Sequence, residues 1–360
     1  MIADAMARLR LLPVLSCGPA LGPRLAATCA LLGASSMAAH ATEWASFRQP
    51  ILATPIDVVL PDRPGAAALA DAVFAAFHTV EVEANEWREG TPIAAVNAAA
   101  GGRAVAVPAG TLALVRRAVD MGQWSDGAFD ATWAALWGVW DFRPGGPQRP
   151  PQPEAIAARL PLIDFRQVEI DPRAQTLRLP RAGMKLGLGG IAKGWALDRA
   201  AVVLRQAGAR DFSVSAGGQV LVGGRKEGRP WRVGIRDPAG GPHDLVAALA
   251  VDGKGGAVSV STSGDYEHAF FHGGVRWHHL LDPRTGWPAR NGIRSVSVVS
   301  RDATLADAMS TAVFVLGPVR GPVLCAAHPA IGCVIVHEDG HLWVSAALRG
   351  ALVVVDRPAP

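Results

Sequence analysis

Residues 212–261 read FSVSAGGQVLVGGRKEGRPWRVGIRDPAGGPHDLVAALAVDGKGGAVSVS. Short runs rich in Val, Ile, Leu and Phe alternate with Gly, Pro and Asp punctuation, which is the pattern of strands separated by turns. The spacing predicts strands at Phe212–Ser215, Val220–Val222, Trp231–Ile235, Leu245–Val251 and Ala257–Ser261. Working outward, strands are expected at His278–Leu281 and Ser295–Val299, one helix at about 303–317, then strands near 332–337, 341–345 and 352–355. Upstream, Ile56–Leu60 reads as a strand, and Leu69, Val73, Phe77, Val80 and Ala84 recur at helical spacing, giving a helix to about Glu86. A second helix fits Leu112–Gly122, and short strands fit Val168–Ile170 and Thr176–Leu179. A third helix follows residues 187–190 and ends at Gly208, a C′ glycine. Strands in runs with helices grouped between them make an α+β fold rather than a doubly wound sheet.

The 360 residues include 40 Gly and 27 Pro; half are hydrophobic and 18% are charged. So much apolar surface excludes a disordered chain, and so many helix breakers exclude a coiled coil or long bundle. Lys and Arg number 35 against 31 Asp and Glu, with no basic stripe, so no nucleic-acid partner is expected.

Arg8 and Arg10 precede the small, apolar run LAATCALLGASSMAA at Leu25–Ala39, which ends in Ala39-His40-Ala41. A basic start, few charges and an A-x-A ending describe a secretory signal peptide, residues 1–41, cleaved after Ala41. Cys17 and Cys29 lack a convincing lipobox, and a lipid anchor is the open alternative. Export to the periplasm is the expectation, with residues 42–360 as one domain interrupted by a Pro-rich loop at 143–154, RPGGPQRPPQPE. Cleavage removes three Arg and one Asp, so the precursor's charge of +4 says little about partners. Cys325 and Cys333 remain, eight apart across a turn, and an oxidising compartment would allow them to pair.

Five segments carry candidate chemistry. Ser125–Asp130 is a turn with Asp130 at its end, followed by Trp133, Leu136, Trp137 and Trp140; it reads either as the rim of an aromatic-ligand pocket or as a turn into a Trp-rich core helix. In LGLGGIAKG, residues 186–194, three glycines admit close backbone approach, and Lys193 adds positive charge in the first turn of the following helix. Its spacings match neither a P-loop nor a dinucleotide fingerprint. Residues 258–266, VSVSTSGDY, offer hydroxyls at a strand end but no nucleophile elbow. In HHLLDPRTG, residues 278–286, a histidine before the turn is a candidate general base. Within Leu305–Leu316, Asp307 and Thr311 share one face of a helix that reads as buried all round. A buried carboxylate requires a positive partner, either Arg or a hard cation, and oxygen ligands suit Mg²⁺.

GAFDATWAALWGVWDF, LGLGGIAKGWALD, VSTSGDYEHAF, HHLLDPRTGWP and LADAMSTAVFVLG, in this order, resemble the FAD:protein FMN transferases of the ApbE type, from about Leu52 to Gly317. The resemblance implies an ApbE-like flavin transferase fold and a periplasmic enzyme. Such an enzyme uses FAD and Mg²⁺ to attach FMN by a phosphoester bond to a Thr, sometimes Ser, hydroxyl of an acceptor protein, releasing AMP. The acceptor would be a secreted or membrane-anchored electron-transfer protein. By the same resemblance Asp307, Thr311 and the Gly190 carbonyl hold the metal. Trp87, Ala128, Phe129, Asp130, Gly187, Lys193 and Val260 line the FAD site, and His279 is the base. Asn97 closes a segment, TPIAAVN, that is similar to an Asn-ending stretch of the family.

Two positions depart from the pattern. Leu52-Ala53-Thr54 stands where the family has Met-Gly-Thr, and Gly187 stands where its Gly-rich turn begins with Asp. Two other functions fit the same residues: an FAD diphosphatase releasing free FMN and AMP, and a non-catalytic FAD-binding protein.

Overall fold

The computed structural model describes residues 42–143 and 145–355; the expected signal segment 1–41 lies outside them. Its backbone is an eight-stranded sheet ordered β1 (Trp44–Ile51), β2 (Thr54–Pro61), β6 (Phe212–Ala216), β7 (Gln219–Gly224), β10 (Gly253–Gly264), β13 (Ile293–Ser300), β14 (Ile331–His337) and β15 (Leu342–Val344). Every neighbouring pair in it is antiparallel. Smaller sheets join β8 (Trp231–Arg236), β9 (Leu245–Val251) and β16 (Leu352–Val354), then β3 (Val105–Ala106), β4 (Glu169–Asp171) and β5 (Thr176–Arg178), and finally the ribbon β11 (Ala269–His272)–β12 (Val275–His278). The helices are α1 (Ala66–Ala84), α2 (Pro92–Ala98), α3 (Ala109–Trp124), α4 (Pro153–Ala157), α5 (Ala192–Gln206) and α6 (Ala303–Ala327).

Strand alternation sets the layers. On one face Val58, Val214, Leu221 and Val296 bury against Phe77 of α1, Leu197 of α5 and Phe314 of α6. On the other, Val222, Val258, Val260 and Val334 meet Trp231, Ile235 and Leu249 of the β8–β9–β16 sheet. β10 therefore sends Val258 and Val260 one way and Ser259, Ser261 and Ser263 the other. A third cluster of Leu136, Trp140, Ile156, Phe270 and Leu281, edged by Trp277 and Trp287, gathers beside the ribbon.

The expected α+β class stands, with local differences. β1 escapes the apolar pattern because it is an edge strand carrying Arg48, Gln49 and Pro50. The expected strand at His278–Leu281 instead ends at His278, with only an isolated Leu281–Pro288 bridge beyond it. The Trp-rich segment forms a short 3₁₀ turn, Ala131–Leu136, in place of an α-helix. α6 runs ten residues past the expected stop: Gly317, at φ +80°, kinks it, and Pro318 sits in the first turn of the second piece, where its missing N–H does no harm. At 25 residues, with an 18-residue window of mean hydropathy 1.4, α6 matches a membrane span in length and composition, but its first half is core: residues 303–310 and 312–315 are all buried. Cys325 at its end is disulfide-bonded to Cys333 of β14.

The β1–β2 hairpin pairs Ile51 with Thr54, leaving a two-residue turn in which Leu52 and Ala53 have φ of 54° and 57°. Left-handed backbone at both positions is what this turn demands, and it strains any residue with a Cβ by about 1–2 kcal/mol. Glycine at 53 relieves that strain and loses about half of the gain to unfolded-state entropy. Ala53→Gly should therefore raise the unfolding free energy by about 0.5–1 kcal/mol in urea titrations, with an unchanged m-value.

Candidate active site

The Gly-rich turn, 186–190, is suspended from segments distant in sequence. Asn97 of α2 grips Leu186 at both ends, its Nδ2 donating to the carbonyl at 2.9 Å and its Oδ1 accepting the N–H at 2.7 Å. Gly187 N–H donates to the Ala131 carbonyl at 2.8 Å, and Trp133 Nε1 donates to the Gly187 carbonyl at 3.2 Å. Trp133 meets Trp137 edge-on, and Trp137 stacks on Trp87 with ring centroids 4.0 Å apart. Trp87 remains 69% exposed, an aromatic face beside the turn. Glu86, next to it, hydrogen-bonds the Leu188 backbone, and burial pushes its carboxyl up to about 7. Nothing in the helical periodicity around it marks it.

Beneath the turn α5 and α6 cross tightly. A Cβ on Gly194 would lie 2.3 Å from the Ala303 carbonyl oxygen, so only glycine permits this approach. Asp307 of α6, 2% exposed, accepts the Gly194 N–H at Oδ2 (2.8 Å) and Gln219 Nε2 of β7 at Oδ1 (2.9 Å). Burial raises its pKa, opposed first by the charge of Lys193, whose Nζ rests 3.3 Å from the Gly189 carbonyl. Thr311 Oγ1 lies 3.1 Å from Ser263 Oγ, which in turn lies 2.7 Å from Ser310 Oγ. A Cβ on Gly190 would come within 3.9 Å of Thr311 Oγ1 and 3.2 Å of the Phe129 ring. The Asp307 carboxylate, the Thr311 hydroxyl and the Gly190 backbone are thus collected at one place, and no ion pair within 4 Å reaches Asp307 among the described residues. A buried carboxylate with no ion pair within 4 Å among the described residues, set among hard oxygen donors, fits Mg²⁺.

The two histidines separate. His278 is buried edge-on to Phe314, its pKa pushed down to about 4 by burial. His279 is half-buried, its N–H donating to the His268 carbonyl at 3.0 Å and its ring edge-on to His268 at 5.1 Å. Burial, then the neighbouring His268 and His278, push its pKa down to about 3, and its Nδ1 has no partner. The following turn is pinned by Gly286 N–H to the Asp282 carbonyl (2.8 Å) and Trp140 Nε1 to the Gly286 carbonyl (2.8 Å).

At four of the residues expected to line the FAD site, the structure shows the side chain engaged within the protein. Val260 is packed in the core on the far side of the sheet from Asp307, and both its neighbours are ladder strands. Alternation puts Ser263 of that segment at the site instead. The Asp130 carboxylate accepts from Thr132 N–H (2.7 Å), Thr132 Oγ1 (2.6 Å) and Phe165 N–H (2.9 Å), so it builds the turn. Ala128 and Phe129 are buried, with Phe129 packed under Gly190. Tyr266, single in the chain, packs on Gly264 beneath the Arg236 guanidinium. Gln219 was missed, although a polar residue in phase with Leu221 on a core-facing strand was the signal for it.

The sequence profile of the ApbE family matches residues 52–335. The chain belongs to the ApbE family. An FAD:protein FMN transferase of Treponema pallidum (strain Nichols) is 34% identical over 316 residues, covering 83% of this chain and 85% of that protein. The crystal structure of the ApbE protein of Thermotoga maritima superposes with a TM-score of 0.77 at 32% identity, over 85% of this chain and 98% of that one. The flavin transferase ApbE of Vibrio cholerae gives 0.76 at 26% identity, over 86% and 99%.

Within this ApbE-family chain, Gly187 has no room for a side chain. An added Cβ would lie 2.9 Å from Ala134 Cβ and 3.2 Å from Trp133 Nε1. Gly187→Asp should therefore cost about 1–3 kcal/mol of stability, as overpacking does. In a thermal-unfolding double-mutant cycle, Ala134→Gly should recover part of that loss when combined with Gly187→Asp and lower stability in the wild type.

Proposed function

We propose that this chain transfers the FMN half of FAD to a Thr or Ser hydroxyl of an acceptor protein, with Mg²⁺ held by Asp307, Thr311 and the Gly190 carbonyl. The observation that carries the proposal is the buried Asp307, with no ion pair within 4 Å among the described residues, beside Thr311 and Ser263 under the suspended Gly-rich turn of an ApbE-family chain. Relatives named FAD:protein FMN transferases support the same reaction. Bound Mg²⁺ would neutralise charge on the diphosphate as its bridge breaks.

The protein's own residues divide the remaining work. The Trp87–Trp137 stack offers a face for the flavin ring, and Lys193 brings positive charge beside the phosphates. His279, neutral because its pKa is depressed, accepts the proton of the acceptor hydroxyl. The hydroxyl oxygen then forms its bond to the FMN phosphorus, the P–O bond to AMP breaks, and AMP leaves with the electron pair. Export fits the N-terminal pattern of residues 1–41, and the Cys325–Cys333 disulfide suits an oxidising compartment.

Mass spectrometry of a Thr-containing acceptor domain incubated with FAD, Mg²⁺ and the chain from residue 42 should show one FMN added and equimolar AMP. AMP with unmodified acceptors across a panel would establish a diphosphatase, and intact FAD a binding protein. Asp307→Ala should abolish AMP release.

His279→Asn should slow transfer by about 10²–10⁴-fold without unfolding the chain. With a folded pKa near 3 against an ordinary 6.5, the unfolded chain binds the extra proton between those values. The contribution of His279 to stability is therefore complete above pH 6.5 and falls as pH drops towards 3. Acid unfolding curves should show a shallower loss over that range in His279→Asn than in the wild type. The acid limb of the transfer rate should fall well below pH 6.5.

A further inference from the structure

Gln219 is 4% exposed, and its amide is only half used. Nε2 donates to Asp307 Oδ1 at 2.9 Å, whereas Oε1 is buried with no hydrogen-bond partner among the described residues. Its direct neighbour across the β7–β10 pairing is Ser261, whose Oγ is also buried without a partner. An unpaired buried acceptor is destabilising, and a methionine of similar volume would avoid that cost. The benefit that offsets this penalty lies at Asp307.

The carboxylate of Asp307 has two donors, one on each oxygen. One is the backbone N–H of Gly194 on α5; the other, the only one from a side chain among the described residues, is Gln219 on β7. Bonds at opposite ends fix the carboxylate plane, and each oxygen keeps a lone pair for another ligand. Without Gln219, Oδ1 would lose its side-chain donor, and the carboxylate could pivot on its remaining hydrogen bond from Gly194. A glutamate at 219 would place a second carboxylate against the first. The amide is the side chain that donates to Asp307 without adding charge.

We infer that Gln219 is a positioning residue for the cation site, holding the Asp307 carboxylate in the orientation that binds Mg²⁺. This rests on the metal assignment made above for Asp307 and Thr311. Outer partners of this kind typically change metal affinity by 10–100-fold.

The test is direct metal binding without turnover: Mn²⁺ titration followed by electron paramagnetic resonance, and the rise in melting temperature with Mg²⁺, both on the chain from residue 42 without FAD. Gln219→Met removes the donor at constant volume, and Gln219→Asn keeps the amide but draws it one carbon short of Asp307. Circular dichroism selects whichever variants fold, and Asp307→Asn serves as the reference. The expected result is a dissociation constant at least about 10-fold weaker than wild type in each folded Gln219 variant, with FAD affinity in EDTA unchanged. A folded variant within about twofold of wild type, with Asp307→Asn abolishing binding, overturns the role of Gln219 and leaves the metal assignment standing. Wild-type protein that binds neither ion, or Asp307→Asn that binds as wild type, overturns both.

Discussion

The close crossing of α5 on α6 is the contact on which the site depends. Gly194 brings backbone against the Ala303 carbonyl and presents its N–H to the buried Asp307 carboxylate. The crossing is held at the other end of the same turn, where Asp198 of α5 accepts the Ala303 and Thr304 N–H groups at 2.9 Å each, capping α6 from outside its own sequence. Asp302 accepts the Leu305 N–H as the ordinary N-cap. Carboxylates at a helix N-terminus are favoured by its unpaired donors and dipole, so both are in low-energy positions. Asp307 lies further along the helix, away from those donors, and depends on the neighbouring elements to remain charged.

The Gly-rich turn is equally derivative. Asn97, Ala131 and Trp133 hang it from α2 and the 3₁₀ turn, and Phe129 fills the space under Gly190. Its glycines serve packing against these neighbours as much as any ligand. At Gly187 the volume that a side chain would need is occupied by Ala134 and Trp133. The departure from the family's Asp is therefore built into the surroundings rather than confined to one position. Ala53 is the opposite case: its turn still has the left-handed geometry suited to glycine, and the alanine merely bears the strain.

Periodicity read most elements because their faces are pure. The α1 stripe of Val73, Phe77, Val80 and Ala84, the strands at 212–251 and the buried α6 all signal through alternation or helical spacing. It failed where the chain meets solvent or other aromatics: at the polar edge strand β1, at the 3₁₀ turn dense in Trp, and beyond Gly317, where the helix kinks and continues. Among site residues, Asp307 and Thr311 were legible as a carboxylate and a hydroxyl one helical turn apart. Alternation along that segment packs Val260 into the core and brings Ser263, on the opposite face, to Thr311.

By itself the sequence determined the α+β class, the chemistry-bearing segments and their family, since these depend on local pattern and on residue types in order. The tertiary structure alone decided which groups meet. It paired Gln219 of β7 with Asp307 of α6, turned the Asp130 carboxylate inward to Thr132 and Phe165, and buried His278 while leaving His279 half-buried. These outcomes turn on a one-residue change of strand phase or on contacts between residues far apart along the chain, and local pattern encodes neither.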